Sequence, residues 1–196
     1  MKKIALLILS LAIFAGSAQA APISGQIQLI GQNASYITDG TGTVTGIDMG
    51  SNGSLLGDTA VVGSATNGDF ASLFSTYSFG DAVVMGTNAG TMYDINFSAG
   101  SVNPLWTIGS LTFAMTNFSV TGAIASGYQI VGSGTITDSS GTYSATNGYF
   151  SMNTSNSNTG LSFNFDSVTV PEPGALALLG LGLLGLGAAR IKARRS

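Results

Sequence analysis

The chain has 196 residues, no cysteine and no histidine, with 6 Lys/Arg against 9 Asp/Glu and a formal net charge of −3. This composition excludes a disulfide framework, thiolate or imidazole nucleophiles and Cys- or His-ligated metal sites. No Lys or Arg lies between Lys3 and Arg190. The intervening chain is therefore purely anionic, unsuited to nucleic acid and without a guanidinium or ammonium to grip a phosphate.

The N-terminus opens with Lys2 and Lys3, continues through an apolar run from Ile4 to Phe14, and reaches a small-x-small site at Ala18-Gln19-Ala20. This is the pattern of a secretory signal peptide over residues 1–20, with the exported chain beginning at Ala21. The alternative, an N-terminal anchor, meets an apolar run too short for a comfortable span. Without cysteine, an exported domain has to be held by its own core.

Residues 21–169 form one domain by size, about 150 residues. Tyr93, Ile95 and Phe97 alternate with polar residues, as do Leu111, Phe113 and Met115, and again Leu161, Phe163 and Phe165. Period-2 patterning predicts half-buried β-strands. Phe118 and Val120 fall on the opposite parity from Met115, which predicts a bulge near Thr116-Asn117. Further strands are expected at Ile23–Ile30, Thr41–Ile47, Thr59–Val62, Ala82–Met85, Tyr128–Ile136 and Tyr149–Thr154. Asn52-Gly53, Asn67-Gly68 and Asn147-Gly148 read as turns. Apolar residues at helical spacing occur at Asp69–Tyr77, where a short helical turn is expected. The fold class is all-β: an antiparallel two-layer sandwich, of jelly-roll type in one form, flanked by an N-terminal signal helix and a C-terminal transmembrane helix. An outer-membrane barrel also uses alternating strands, but such barrels do not end in an apolar helix with a basic tail.

The exported domain offers little for catalysis. Asp39, Asp48, Asp58, Asp69, Asp81, Asp94, Asp138 and Asp166 sit among turn and edge residues, which suits caps better than a glycosidase pair. No catalytic residue, cofactor or metal ligand is assigned. Asn67-Gly68-Asp69, or Asp39 with Asp48, supply oxygens of the kind calcium takes, yet no segment has the spacing of a calcium loop. Trp106, with Tyr93, Tyr128, Tyr143 and Tyr149, is a candidate glycan contact; the competing reading places Trp106 and Tyr93 in the core or at a sheet edge.

The C-terminal stretch has three parts. Pro171, Glu172 and Pro173 form a stiff, extended motif. Residues 174–189 carry no polar side chain, and as a helix would be roughly 24 Å long at about 1.5 Å per residue. Arg190, Lys192, Arg194 and Arg195 form a basic stop-transfer end that stays in the cytoplasm. This order, in residues 170–196, resembles the PEP-CTERM sorting signal of exopolysaccharide-producing Gram-negative bacteria. The resemblance implies export through the inner membrane and transient anchoring there. It implies that exosortase, an integral-membrane protease-transpeptidase, recognises the Pro-Glu-Pro motif, removes the tail and delivers the protein to the cell surface or medium. It also makes exopolysaccharide a candidate partner. The alternative is a carbohydrate- or calcium-binding module permanently anchored in the inner membrane by this single span, behind a proline-containing stalk.

Overall fold

The computed structural model describes residues 20–49, 59–157 and 160–169. The signal segment with Ala18, the Asn52-Gly53 turn, Asp58, and the whole C-terminal stretch lie outside the described residues.

Twelve strands and one short helix make up the described chain: β1 (Ala21–Pro22), β2 (Gln26–Thr38), β3 (Val44–Asp48), β4 (Thr59–Val62), α1 (Asp69–Leu73), β5 (Ala89–Met92), β6 (Ile95–Asn96), β7 (Val102–Ile108), β8 (Leu111–Ala123), β9 (Gly127–Asp138), β10 (Tyr143–Ser144), β11 (Thr146–Ser157) and β12 (Gly160–Thr169). The all-β expectation holds, and every ladder of the main sheet is antiparallel.

The layer expectation is corrected by the pairing. The main sheet runs β12-β11-β9-β8-β7-β5-β4-β2, and β12 also pairs with β2. These strands form a closed up-and-down ring in chain order, with first joined to last and no jelly-roll crossover. Closure is the physical gain, because it leaves neither β2 nor β12 as a terminal edge strand. β3 and β6 extend from β2. β1 forms a separate parallel pair with β10.

Alternation along the strands decides what fills the ring. On β9, Ile130, Gly134 and Ile136 are buried, while Gln129, Val131 and Thr137 are exposed. On β11, Phe150 and Met152 are buried between exposed Asn147, Tyr149 and Asn153. Trp106 and Phe113 stack with ring centroids 5.7 Å apart, and Phe150 meets Phe113 edge-on at 5.7 Å. An eight-stranded ring is just wide enough for side chains to fill. Apolar inside and largely polar outside is the inverse of a lipid-facing barrel.

Bulges keep the faces in phase. Between Met115 and Asn117 the register on β9 advances only from Gly134 to Ser133. The expected bulge at Thr116-Asn117 is therefore present, and it turns Phe118 and Val120 toward the core. On β2, a second shift lies opposite Leu161 and Phe163. It carries the buried set from Ile27, Leu29 and Gly31 to Ala34.

The expected helical turn forms as α1, whose Phe70 is completely buried, with Phe74 next to it nearly so. Asn67-Gly68 is the turn leading into it. A Cβ on Gly68 would meet the Ser24 carbonyl oxygen at 2.6 Å and Gly25 Cα at 2.7 Å, at a φ of +62°. Two expected features are corrected. Ala82–Met85 is no strand and contributes an isolated bridge from Met85 to Ala89. Asn147-Gly148 lies inside β11, paired with Thr135 and Gly134, because the reversal is made upstream by Asp138–Gly141.

Candidate functional site

The ends of the ring set where processing signals emerge. β12 is paired on both sides, with Thr169 opposite Gly148 on β11 and Val168 opposite Gln26 on β2. Its last residue is thus part of the wall, and Pro171, Glu172 and Pro173 follow almost directly. At the other terminus, Ala21 pairs with Tyr143, Ile23 is buried, and the Ile23 N–H donates to Thr146 Oγ1 at 3.1 Å. The expected signal-cleavage point at Ala20 and Ala21 therefore lies at the first residue of the fold, and at the same end of the ring as Thr169. The sorting residues Pro171, Glu172 and Pro173 and the stop-transfer residues Arg190, Lys192, Arg194 and Arg195 lie outside the described residues.

Asp39, Asp81 and Asp138 cap turns, whereas Asp69 and Asp94 fasten together segments distant in sequence. Asp138 accepts from the backbone N–H groups of Ser140 (2.9 Å) and Tyr143 (3.0 Å) and from the Ser140 hydroxyl (2.8 and 2.7 Å). Hydrogen bonds from the Ser110 side chain, and then from Ser140, hold its carboxyl well below the usual range, because they favour the ionised form. Asp39 accepts from the Thr41 hydroxyl at 2.7 Å and from the Thr41 and Thr43 N–H groups at 2.9 Å, and its carboxyl is lowered by these bonds. Asp69 ties α1 to Ser24 through two bonds of 2.7 and 2.8 Å. Asp81 and Asp94 accept the N–H groups of Ser78 and Met49. In the calcium candidate Asn67-Gly68-Asp69, Asn67 accepts from Gln26 N–H while Asp69 is held by Ser24; in the other, Asp39 with Asp48, Asp39 is taken up by Thr41 and Thr43. No group of three or more acidic, His or Cys residues that could hold a metal occurs among the described residues.

The aromatic set is dispersed. Trp106 is 0 % exposed and stacks on Phe113. Its place as a glycan contact is corrected: the ring is core and presents no face to a sugar. Tyr128 packs edge-on against Tyr36 at 5.2 Å and is half-buried, as is Tyr143. Tyr93 is 39 % exposed, and Tyr149 is the most exposed of the five at 65 %.

Tyr149 borders a groove of about 510 Å³ on the wall formed by β8, β9 and β11. Its lining is built by register. Tyr149, Ser133 and Asn117 form one cross-strand row, and Val131 with Ser119 belongs to the next outward row. Small Ser133 between two larger side chains leaves the hollow. Asn117 Nδ2 donates to Ser133 Oγ at 2.8 Å, which leaves the amide carbonyl oxygen, a second amide hydrogen and the Ser133 hydroxyl hydrogen as groups able to meet a ligand. The lining contains no charged residue. Such a groove suits an uncharged, hydroxyl-rich ligand with an apolar face. Residue alternation marks Tyr149 as outward opposite Phe150 and Met152; the hollow itself depends on cross-strand register.

Among the described residues no helix is long and apolar enough to cross a membrane; residues 174–189 are outside that set. No curated protein and no solved structure matches the chain significantly. A family model, the PEP-CTERM protein-sorting motif, matches residues 169–195. The match begins at Thr169, the last residue of β12. Such a motif implies exosortase as the processing partner and export as the route. The described residues form a β-barrel, and the segment that follows matches the PEP-CTERM protein-sorting motif.

Proposed function

We propose that this is a non-enzymatic protein of the cell surface or extracellular matrix. It is exported by its signal peptide, held briefly in the inner membrane by residues 174–189, and released or transferred when exosortase cuts at Pro171-Glu172-Pro173. The observation that carries the reading is the sorting motif joined directly to a closed barrel wall. Extended, proline-stiffened chain next to a rigid strand lowers the entropy lost on docking in a protease site. The turn-capping work of Asp39, Asp81 and Asp138, and the long-range ties made by Asp69 and Asp94, support a structural rather than catalytic use of the acids. Converting both Pro171 and Pro173 to alanine is expected to leave full-length precursor in the inner membrane. Normal processing of that double variant would contradict the sorting mechanism.

The groove beside Tyr149 favours a link to polysaccharide in the final location. A sugar ring stacked on Tyr149 would direct its hydroxyls toward Asn117 and Ser133. Tyr149→Ala is expected to abolish retardation of the protein in gels containing a neutral glucan, with the thermal transition unchanged because the ring is exposed. Unaltered retardation would remove the groove from the proposal.

A further inference from the structure

The connection between β4 and β5, residues 63–88, carries four exposed apolar side chains on one continuous segment. Leu73 is 40 % exposed, Phe79 102 %, Val84 49 % and Met85 57 %. A fully exposed phenylalanine flanked by other exposed apolar residues marks a contact surface. The segment is not a loose excursion. Phe70 and Phe74 root it in the core. Tyr77 N–H donates to the Val62 carbonyl at 2.7 Å, and Val62 N–H donates to the Asn88 carbonyl at 2.8 Å. Asn88 in turn accepts from Val84 N–H and donates to the Ala82 carbonyl.

Its place in the fold suggests what it meets. β12 leaves the wall with Val168 beside Gln26, and Gln26 is bonded in both directions to Asn67, at the head of the same connection. The chain therefore runs toward residues 174–189 from the end of the ring that presents Phe79. Between Thr169 and Gly174 stand Val170 and the Pro-Glu-Pro motif. At about 3.3 Å per extended residue this tether spans roughly 15 Å. The headgroup layer that lies between it and the hydrocarbon is about 5–8 Å thick on each side. A domain held so closely cannot keep that end far from the bilayer.

We propose that, before cleavage, the 73–85 segment seats Phe79, Val84 and Met85 in the bilayer interface and so holds the barrel upright over the membrane with the sorting motif beneath it. Asp81, exposed between Phe79 and Val84 and accepting the Ser78 N–H at 3.0 Å, favours zwitterionic over anionic headgroups. Once the tail is removed, the three side chains are too small an anchor to retain the domain, and it leaves. The inference rests on residues 174–189 being a membrane span.

The chain has no cysteine, so single cysteines report position without background. Phe79→Cys, and Ile124→Cys in the turn joining β8 to β9 at the far end, are labelled with a polarity-sensitive fluorophore in the full chain and reconstituted into phosphatidylcholine vesicles. The proposal predicts co-flotation, blue-shifted emission at position 79 that is quenched by lipid-borne quenchers, and aqueous emission at 124. Co-flotation with aqueous emission at 79 overturns the seating and leaves the membrane span intact. Lipid contact at both positions, or shielding at 79 without lipid quenching, as a second copy would give, also overturns it. Failure to float refutes the membrane span and the seating together.

Discussion

Asp138 shows how single residues support this fold without cations. Its carboxylate gathers the Ser110 and Ser140 hydroxyls and the N–H groups of Ser140 and Tyr143, closing the turn that aligns β9 with β10 and β11. A carboxyl lowered in the folded state stabilises the protein above its unfolded value, about 3.9, and loses that contribution as pH falls toward the folded value. Asp39 acts in the same direction. The melting temperature should thus be level near neutrality and drop below about pH 4, and Asp138→Asn should flatten that drop; an unchanged profile would contradict the assignment. Gly134 makes a different kind of contribution. A Cβ there would run into the Phe113 ring and the Ala114 carbonyl oxygen. Gly134→Ala should lower stability by about 1–3 kcal/mol through overpacking, measurable by denaturant titration. Residue type alone misplaced Trp106. The register between β7 and β8 shifts between Val102 and Trp106, around Pro104, and both Leu105 and Trp106 become buried, an outcome that alternation does not express.

At the scale of elements, patterning was legible where one face is apolar and the other polar. The phase change after Met115 pointed to the β8 bulge, and Thr59–Val62 forms β4 with the expected bounds. β5 was hidden because Ala89-Gly90-Thr91-Met92 has little β character. Gly90 is there for close approach: its Cβ would meet the Thr107 carbonyl oxygen at 2.5 Å. β7 was hidden by Pro104, which reads as a strand breaker and is accommodated where the pairing is interrupted. Asn147-Gly148 misled because Gly148 faces the interior of a strand and not a reversal. α1 is too short to be stable alone, and its stability comes from burying Phe70. Phe70→Ala should destabilise the domain by about 3–5 kcal/mol; a loss below 1 kcal/mol would show that the connection is not part of the core.

The whole molecule combines a cation-free barrel with basic residues confined to its two terminal segments. Trypsin should therefore leave residues 21–189 uncut even after unfolding, and internal fragments would contradict the composition argument. Closure of β12 on β2 was not legible, since pairing between strands so far apart in sequence depends on the count of strands and on the register shifts between them. The sorting motif was legible because motif, apolar run and basic end are contiguous, whereas the groove at Tyr149 required three strands in register. The barrel places the start of β1, the end of β12 and the connection carrying Phe79 at one end, so on the proposed route export, tethering and release would all act there. The most direct test is the intact mass of the protein from its native host, taken separately from inner membrane, outer envelope and medium. The account predicts a species beginning at Ala21 and ending within Pro171–Gly174, found outside the inner membrane. A species running to Ser196 and confined to the inner membrane would contradict it and make the tail a permanent anchor.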